Sequence, residues 1–370
     1  MTLRYRAAVL HQAHTPLEIE TIAAASIAPL DVLVRVRAAG LCHTDLEVID
    51  GSLRYPMPIV LGHEAAGVIE DVGPAVRHLK TGDHVVLSWN PHCGHCYCCD
   101  RGLPILCEEY LAKGPRAVQF DGTCKARRAN GEELKHLMFL GAFGEYCIVQ
   151  EQQAIAVPAD IPFDRACLIG CSVMTGVGAV LNVAHIGHAD TVMVIGCGAV
   201  GLSAVQGSRL AGAAKIIAVD IDEGKLALAQ RMGATHGVHA NREDVAAAAR
   251  QETAGRGADV VIEAAGNATA FRASVEAVRP GGEVVWLGKI DVNHEVNFRW
   301  GALMQEKRIR RSSYGEARPA RDFPMLARAY LEGRLMLDDL ITQRIPLDGV
   351  NAGFSALREG KVIRSVITFG

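Results

Sequence analysis

The stretch Thr191-Val-Met-Val-Ile-Gly-Cys-Gly-Ala-Val-Gly201 decides how the central part of this chain folds. An apolar run suited to a buried strand leads directly into a glycine-rich turn and then into helical sequence. In such a unit the first glycine permits the tight turn, the second lets the backbone approach a pyrophosphate, and the third lets the helix pack on the strand. The pyrophosphate lies at the helix N-terminus, where free N–H groups favour an anion. We therefore predict a dinucleotide site at Gly196, Gly198, Ala199, Val200 and Gly201.

Strands and helices alternate beyond this stretch. We predict helices at 199–211 and 223–232 and strands at 191–195, 215–219, 260–262 and 283–287. Alternation at this spacing is typical of βαβ units and of a parallel, doubly wound sheet. The sequence therefore predicts a Rossmann domain over residues 173–314.

Asp220 ends the second of these strands. A carboxylate in this position accepts hydrogen bonds from the adenosine ribose hydroxyls and repels a 2′-phosphate. We therefore expect NAD rather than NADP. The alternative is that Asp220 is an ordinary N-cap of the next helix.

The sequence before residue 173 has a different pattern of apolar and turn-forming residues. Short apolar stretches at 32–37, 66–70, 84–87 and 146–149 are separated by Gly, Pro and Asp, a pattern that predicts a β-rich, barrel-like domain. The polar segment 108–136 is expected to be a long surface excursion. The tail from about residue 314 ends in a strand-like run at 363–369. We predict an α/β protein whose β-rich domain, residues 1–172 and 315–370, is interrupted by the Rossmann domain.

Composition excludes several classes of protein. The 370 residues exceed one ordinary core, and 49% hydrophobic and 21% charged residues are typical of a soluble globular chain. A net charge of −3 favours neither nucleic acid nor an anionic membrane surface as a partner. No apolar run approaches the roughly 18 residues of a spanning helix. The N-terminus has no signal-peptide pattern, so we expect a cytoplasmic protein.

Five of the eleven cysteines crowd into one short segment. The spacing Cys93-x2-Cys96-x2-Cys99-x7-Cys107 suits a closed, four-thiolate structural zinc site, which we place in a lobe at 91–108. Cys98 lies between the ligands and should point away. The alternative is a set of free buried thiols or a redox pair.

A second group of metal-binding residues occurs in Gly40-Leu-Cys-His-Thr-Asp45 and Gly62-His63-Glu64. A thiolate and an imidazole are ligands that zinc prefers, and a catalytic zinc needs three protein ligands and an open position. The alternative is a buried cysteine and an ordinary core histidine.

These motifs, with Gly170-Cys-Ser-Val-Met-Thr-Gly176 and Gly360-Lys-Val-Ile-Arg-Ser365, resemble the zinc-dependent medium-chain alcohol dehydrogenase family over essentially the whole chain. The resemblance implies a GroES-like catalytic domain interrupted by a Rossmann domain, and two Zn²⁺ per chain. It implies Cys42, His63 and Cys171 as catalytic zinc ligands, with Glu64 as an alternating or supporting ligand and Asp45 orienting His63. Cys167 competes for the third position, but only Cys171 carries the Thr-Gly that follows the family's ligand.

The resemblance also assigns cofactor and substrate contacts. The expected NAD contacts outside the glycine turn are His43, Thr175, Lys225, Leu287, Gly288 and Arg364, with His43 and Arg364 at the pyrophosphate. The expected substrate-pocket residues are Leu53, Trp89, Phe139 and Leu140.

The implied mechanism is hydride transfer from an alcohol to the nicotinamide, aided by zinc. Thr44 would hydrogen-bond the alcohol oxygen and begin a proton relay. The family's relay often ends in a histidine five residues after the first zinc ligand, where this chain has Glu47. Glu47 is either the end of the relay or a solvated surface carboxylate.

The expected substrate is a primary aliphatic or aromatic alcohol, or the matching aldehyde. An S-(hydroxymethyl)glutathione dehydrogenase is the alternative. That class has a basic residue where this chain has Leu111, and acidic residues where it has Leu53 and Tyr55.

Two further alternatives are a nucleic-acid-binding zinc ribbon, which should show a basic stripe, and a noncatalytic zinc- and NAD-binding relative, which should lack a ligand.

A homodimer is expected through the edge of the Rossmann sheet, with a tetramer as the alternative.

Overall fold

The structure, a computed structural model, describes residues 2–370. The chain divides into two compact units. The first ends at Cys171 and resumes at Arg318, and the second is Ser172–Ala317. The sequence prediction for the second domain is 173–314, which lies within this unit.

The strands of the described chain are numbered in chain order. They are β1 (Arg4–Leu10), β2 (Glu18–Ala24), β3 (Asp31–Gly40), β4 (Ile59–Val60), β5 (Glu64–Val72), β6 (His84–Leu87), β7 (Ala126–Arg127), β8 (Glu133–His136), β9 (Tyr146–Gln150), β10 (Ala154–Ala156), β11 (Thr191–Ile195), β12 (Lys215–Asp220), β13 (His236–His239), β14 (Ala258–Glu263), β15 (Val278–Trp286), β16 (Arg308–Arg311), β17 (Gln343–Ile345) and β18 (Ser365–Thr368).

The α-helices are numbered in the same way. They are α1 (His43–Ile49), α2 (Tyr97–Asp100), α3 (Glu108–Lys113), α4 (Phe163–Leu168), α5 (Met174–Gly178), α6 (Ala199–Ala211), α7 (Glu223–Arg231), α8 (Val245–Glu252), α9 (Ala268–Ala277), α10 (Pro319–Leu331) and α11 (Val350–Arg358).

The second unit is built on a parallel sheet in the order β13-β12-β11-β14-β15-β16. This confirms the predicted doubly wound fold. Strand residues such as Met193, Ile217, Val261 and Val284 have no exposed surface and form its core with the flanking helices. Sequence reasoning missed β13 and β16, because both are short. The four residues of β16, three of them arginines, are all exposed, so no apolar pattern marks the strand.

Local capping explains where several helices of this unit begin and end. Asp222, Asp244 and Asn267 are the N-caps of α7, α8 and α9, and each side chain accepts a hydrogen bond from a first-turn backbone N–H. Such a cap contributes about 1 kcal/mol to helix stability. Helix α6 ends at Gly212, whose φ of +81° is the left-handed conformation typical of a glycine C-cap.

The first unit contains a closed barrel, β1-β2-β7-β8-β4, and a second sheet in the order β10-β6-β5-β3-β18-β17, with β9 paired to β3. This confirms the predicted β-rich, barrel-like domain. The C-terminal strand predicted at 363–369 is β18, which pairs with β3.

The prediction of a surface excursion at 108–136 is wrong. Strands β7 and β8 lie within this segment and complete the barrel. Its buried Lys125 donates hydrogen bonds to Asp31 (2.7 Å) and Asp121 (2.6 Å). In the sequence, a buried lysine that is neutralised by aspartates cannot be distinguished from one that faces solvent, so composition was misleading here.

One helical run, Phe163–Ala184, is long and apolar enough to qualify as a membrane span by length and composition, contrary to the expectation from the sequence. However, 83% of its most apolar window is buried within the protein. That burial is typical of a core helix.

Candidate functional site

The structure brings four potential metal ligands of the first unit together. One ligand atom from each of Cys42, His63, Glu64 and Cys171 lies within 4.8 Å of the others. Cys42 is the N-cap of α1, His63 and Glu64 stand at the start of β5, and Cys171 lies in a π-helical turn, Ile169–Val173. Cys167 lies outside this group, and its thiol donates to the carbonyl of Asp164 (3.3 Å).

Asp45 holds the first two ligands in place. Its carboxylate accepts hydrogen bonds from the backbone N–H groups of Cys42 (3.2 Å) and Gly62 (2.9 Å), and it lies 3.3 Å from Nδ1 of His63. When Nδ1–H donates to a carboxylate, the lone pair of Nε2 is left to bind a metal. Carboxylates orient metal-binding histidines in this way. Burial lowers the pKa of His63, but the charges of Asp45 and Cys42 outweigh it and raise this pKa well above its ordinary value.

Arg364 closes the other side of the group. Its Nη2 lies 3.2 Å from Oε1 of Glu64 and 3.7 Å from Sγ of Cys42. Burial raises the pKa of Glu64 to about 7, although Arg364 opposes the shift. The predicted pyrophosphate contact of Arg364 stays a prediction, since here its guanidinium faces Glu64.

Gly40 has a steric role in this group. A Cβ on Gly40 would lie 2.6 Å from Oε2 of Glu64, too close for any real contact. The glycine that opens the Gly40–Asp45 motif therefore leaves room for the carboxylate.

The chemistry of these donors fits a zinc ion. The hydrogen bond from Cys171 lowers the pKa of Cys42 well below its usual range, and the same contact raises the pKa of Cys171. Oε2 of Glu64 is buried without a hydrogen-bond partner within residues 2–370. Two thiols, an imidazole and an unpaired carboxylate oxygen are a donor set that zinc prefers.

The cysteine lobe forms a second, closed group. The sulfurs of Cys93, Cys96, Cys99 and Cys107 lie within 4.8 Å of one another, with 4.0 Å between those of Cys93 and Cys99. A tetrahedron with Zn–S bonds of about 2.3 Å has edges of about 3.8 Å, so these positions also fit zinc. Cys98 lies outside the group, and all the cysteines are free thiols.

The predicted substrate residues differ in their solvent exposure. Leu53 is half-buried and Trp89 is 8% exposed, whereas Phe139 and Leu140 are fully buried. Gln153, which sequence reasoning missed, joins these segments: its buried amide donates to the carbonyls of Phe139 (3.1 Å) and Ser88 (3.5 Å). Nothing in the local sequence distinguishes this glutamine from a surface residue.

The glycine turn of the second unit has the geometry that the sequence predicts. Gly196 has a φ of +94°, and a Cβ on Gly201 would lie 1.7 Å from the carbonyl oxygen of Gly196. A Cβ on Gly198 would meet no atom within 4 Å, so the backbone there borders open space. Open space beside a helix N-terminus fits the pyrophosphate of a dinucleotide.

Asp220 lies beside this turn rather than capping a helix. Its carboxylate accepts hydrogen bonds from the backbone N–H groups of Cys197 (2.6 Å), Ile221 (2.8 Å) and Asp222 (3.0 Å). Asp222 is the N-cap of α7, and it accepts from the backbone of Lys225 (2.9 Å). The capping alternative for Asp220 is therefore wrong.

The remaining predicted cofactor residues of the second unit lie on several elements. Leu287 and Gly288 follow β15, and their N–H groups donate to the carbonyl of Glu263 at the end of β14. Thr175 is half-buried in α5, and Lys225 is half-buried in α7. The glycine turn follows β11 and Asp220 ends β12, so these groups share the carboxyl edge of the parallel sheet, where α/β folds bind ligands.

Helix α1 carries the predicted catalytic residues Thr44 and Glu47 and the predicted NAD contact His43. His43 is exposed, Thr44 is 8% exposed, and Glu47 is half-buried one turn further along. Thr44 is two residues after Cys42, in the first turn of the helix that Cys42 caps, so its hydroxyl lies on the element that positions the first ligand.

Comparison with known proteins agrees with this geometry. The profile of the alcohol dehydrogenase GroES-like domain matches residues 28–159, and that of the zinc-binding dehydrogenases matches residues 199–331. The chain is 36% identical over 366 residues to an S-(hydroxymethyl)glutathione dehydrogenase of Aspergillus oryzae, covering 98% of this chain and 95% of that protein.

Two solved structures are similar over the full length of both chains. One is an alcohol dehydrogenase zinc-binding domain protein from Burkholderia ambifaria, with a TM-score of 0.96 and 35% identity. The other is a benzyl alcohol dehydrogenase from Acinetobacter calcoaceticus, with a TM-score of 0.93 and 31% identity.

Proposed function

Because this chain belongs to the family of zinc-dependent medium-chain alcohol dehydrogenases, we propose that it interconverts primary alcohols and aldehydes, with NAD as the hydride carrier. The observation that carries the proposal is the buried group of Cys42, His63, Glu64 and Cys171, whose ligand atoms lie within 4.8 Å of one another. A relative without catalysis would be expected to lack one of these ligands, and this chain has them all.

The residues of the first unit prepare this site. Cys42, His63 and Cys171 would hold the zinc, with Glu64 as a fourth donor or a supporting group. When bound, zinc supplies Lewis acidity, which lowers the pKa of an alcohol hydroxyl. Asp45 fixes the ring orientation of His63, and Arg364 offsets the negative charge of Glu64 and Cys42.

Thr44 and Glu47 are the proposed proton path. The Thr44 hydroxyl would accept the proton of the substrate alcohol, and the Glu47 carboxylate would receive it at the far end. Both residues lie on α1, one turn apart or less, so the helix that carries Cys42 also fixes the path.

NAD and a content of two zinc ions per chain are also part of the proposal. Asp220 supports NAD, because a carboxylate held beside the glycine turn would repel a 2′-phosphate. The two groups of potential ligands, one closed with four sulfurs and one with mixed donors, support one structural and one catalytic zinc.

S-(hydroxymethyl)glutathione is the second candidate substrate, since a relative carries that name. The side chains of this chain do not favour it. Leu111 is 54% exposed where a basic residue would pair with glutathione's carboxylate, and Leu53 and Tyr55 replace acidic residues. A neutral, partly apolar surface is better suited to a simple alcohol.

A homodimer in the cytoplasm completes the proposal. Strand β16 is an edge strand with exposed residues, and Trp300 (75%) and Val292 (94%) are exposed near it in the sequence. Such an edge and its apolar neighbours can pair with a second copy. Eleven free thiols fit a reducing compartment.

The test is reduction of NAD or NADP, followed by absorbance, across primary aliphatic alcohols, benzylic alcohols and S-(hydroxymethyl)glutathione, with and without a zinc chelator. Elemental analysis should give about two zinc ions per chain. Turnover of S-(hydroxymethyl)glutathione with no activity on simple alcohols would overturn the preferred substrate class. A zinc-loaded protein that reduces neither cofactor with any substrate would overturn catalysis altogether.

A further inference from the structure

The second unit contains a cavity that includes neither the glycine turn nor any potential zinc ligand. Its volume is about 440 Å³, and its charged lining consists of Asp244, Arg250, Glu276, Arg299 and Lys307. All of these residues lie within Ser172–Ala317, so the cavity belongs to one compact unit. The remaining lining residues are alanines and a glycine, and these small residues leave the space between the charged groups open.

The cavity lies at the amino edge of the parallel sheet. Lys307 immediately precedes β16, and Glu276 lies two residues before β15, so both stand where parallel strands begin. Arg250 is in the last turn of α8. The glycine turn and Asp220 are at the carboxyl ends of β11 and β12, which is the opposite edge of the same sheet. A ligand in the cavity would therefore leave the predicted NAD site free.

Both carboxylates of the cavity already have partners. Oε1 of Glu276 lies 3.1 Å from Nη2 of Arg299, so these two charges offset each other. Asp244 is the N-cap of α8, and its Oδ1 accepts the backbone N–H of Ala247 (2.6 Å). The cap uses only one of the two oxygens of Asp244, so the other remains as an acceptor.

Arg250 and Lys307 carry the positive charge that is not offset. The guanidinium of Arg250 makes no hydrogen bond or ion pair with any residue that the structure describes. Nζ of Lys307 donates to the carbonyl of Val275 (2.8 Å), which leaves two of its three N–H donors. Burial lowers the pKa of Lys307; Glu276 opposes this shift and Arg250 adds to it. An anion between the two cations would relieve their repulsion.

These groups define a ligand with an anionic end and a hydroxylated end. A guanidinium binds phosphate through two parallel hydrogen bonds, and a lysine binds it as a point charge. The carboxylate of Asp244 can accept a hydrogen bond from a ligand hydroxyl. Because the volume is typical of sites for small organic molecules, the cavity is larger than a single inorganic ion requires. Its lack of large apolar side chains disfavours an aromatic or lipid-like ligand.

We propose that this cavity binds a small, hydroxylated phosphate monoester, with the phosphate between Arg250 and Lys307 and a ligand hydroxyl on Asp244. The site is separate from the zinc and NAD sites, and it does not rest on the dehydrogenase function. Since it lies at the other edge of the sheet, the phosphate monoester and NADH should bind to the same chain together.

The test is isothermal titration calorimetry on the full chain saturated with NADH. The cofactor occupies the glycine turn, so phosphate cannot bind at that helix N-terminus. The probes are ribose 5-phosphate, inorganic phosphate, ribose and citrate. Ribose 5-phosphate should bind one site per chain and more tightly than inorganic phosphate or citrate, and ribose should not bind. Its affinity should be the same without NADH.

Substitutions at the two cations test their role. Arg250→Gln and Lys307→Gln should each weaken the binding of ribose 5-phosphate about tenfold, because each removes a charged hydrogen-bond donor. Arg256→Gln is the matched control, since it removes the same charge from an exposed position of the same unit outside the cavity. It should change the affinity by less than about twofold.

A substitution at Asp244 tests the hydroxyl contact. Asp244→Asn keeps the cap of α8, because asparagine caps helices as well as aspartate does. It should lower the preference for ribose 5-phosphate over inorganic phosphate about fivefold, since a neutral acceptor replaces a charged one. Circular dichroism establishes that each variant is folded. If Lys307→Gln does not fold, Arg250→Gln decides the question, because Arg250 is exposed.

Three results would overturn the proposal. One is that ribose 5-phosphate does not bind the NADH-saturated protein, or that NADH displaces it. The second is that Arg250→Gln and Lys307→Gln bind it as tightly as Arg256→Gln. The third is that citrate binds more tightly than ribose 5-phosphate, which would exclude the phosphate class. None of these measurements depends on alcohol oxidation, so their failure leaves the dehydrogenase function unaffected.

Discussion

The carboxylate of Asp45 lies 3.3 Å from Nδ1 of His63, and both side chains are almost completely buried. The same carboxylate accepts a hydrogen bond from the N–H of Cys42. One acidic side chain therefore orients two of the potential zinc ligands, although it is not itself one of the four.

Asp45→Asn should weaken zinc binding at the catalytic site about 10- to 100-fold, because the amide keeps the shape but loses the charge that favours the bound histidine. Competition with a chromophoric chelator measures this without relying on turnover. Asp50→Asn is the control, since Asp50 ends the same helix but pairs with Arg358 at the surface. Equal zinc affinity in the two variants would contradict the orienting role of Asp45.

Cys96→Ser should remove one zinc ion per chain and lower the thermal midpoint, because three sulfurs hold the metal of the lobe less tightly than four. Cys98→Ser should leave the zinc content unchanged, since Cys98 lies outside the group although it is two residues away. Elemental analysis and differential scanning fluorimetry measure both effects. A loss of zinc in Cys98→Ser would show that the wrong sulfurs have been assigned.

Asp220→Asn should reduce the preference for NAD over NADP by at least about tenfold, because it removes a charge that repels the 2′-phosphate. The amide oxygen can still accept the N–H of Cys197. Asp222→Asn is the control: it affects the cap of α7 and should leave the preference unchanged. The ratio of kcat/KM for the two cofactors is the measurement, and an unaltered ratio in Asp220→Asn would assign Asp220 a structural role.

Glu47→Gln should lower kcat, by up to about a hundredfold, and remove one ionisation from its pH profile if Glu47 ends the proton path. Glu70→Gln is the control, because Glu70 is 40% exposed and pairs with Arg35. A superimposable pH profile in Glu47→Gln would identify Glu47 as a surface carboxylate.

His136 should make the stability of the first unit depend on pH. Its Nε2 accepts the backbone N–H of Lys125 (2.8 Å), and burial lowers its pKa to about 4, from 6.5 in the unfolded chain. Because the folded pKa lies below the unfolded one, the stabilisation is complete above pH 6.5 and is lost as the pH falls towards 4. The loss is about 3 kcal/mol.

Urea unfolding at a series of pH values tests this expectation. His136→Gln should flatten the dependence between pH 6.5 and 4, whereas the control His78→Gln, at an exposed position, should retain it. The same slope in wild type and His136→Gln would refute the assignment.

The sequence predicts the secondary structure correctly where neighbouring residues determine it. Residues 191–201 alone specify a buried strand, a turn with positive φ at Gly196 and a helix start, and each of these forms as predicted. It failed at 108–136, because the charge of Lys125 is neutralised by Asp31, 94 residues away.

The contacts that complete the candidate site are equally non-local. Gln153 bridges two carbonyls from separate segments, and Arg364 reaches Glu64 across 300 residues. Neither contact has a local signal. The role of Gly40, whose missing Cβ leaves space for Glu64, also becomes visible only in three dimensions.

The cysteine lobe has a consequence beyond its own stability. Cys107 and Phe139 belong to one buried cluster, against which Tyr110, Cys93, Cys96 and Cys99 pack. Phe139, one of the predicted substrate-pocket residues, is thus anchored to the lobe's sulfurs, so the metal content of the lobe should affect which alcohols the enzyme accepts. We expect zinc-starved cells to produce an enzyme of broadened selectivity before it becomes inactive, which the ratio of benzylic to aliphatic turnover in partly demetallated protein would measure.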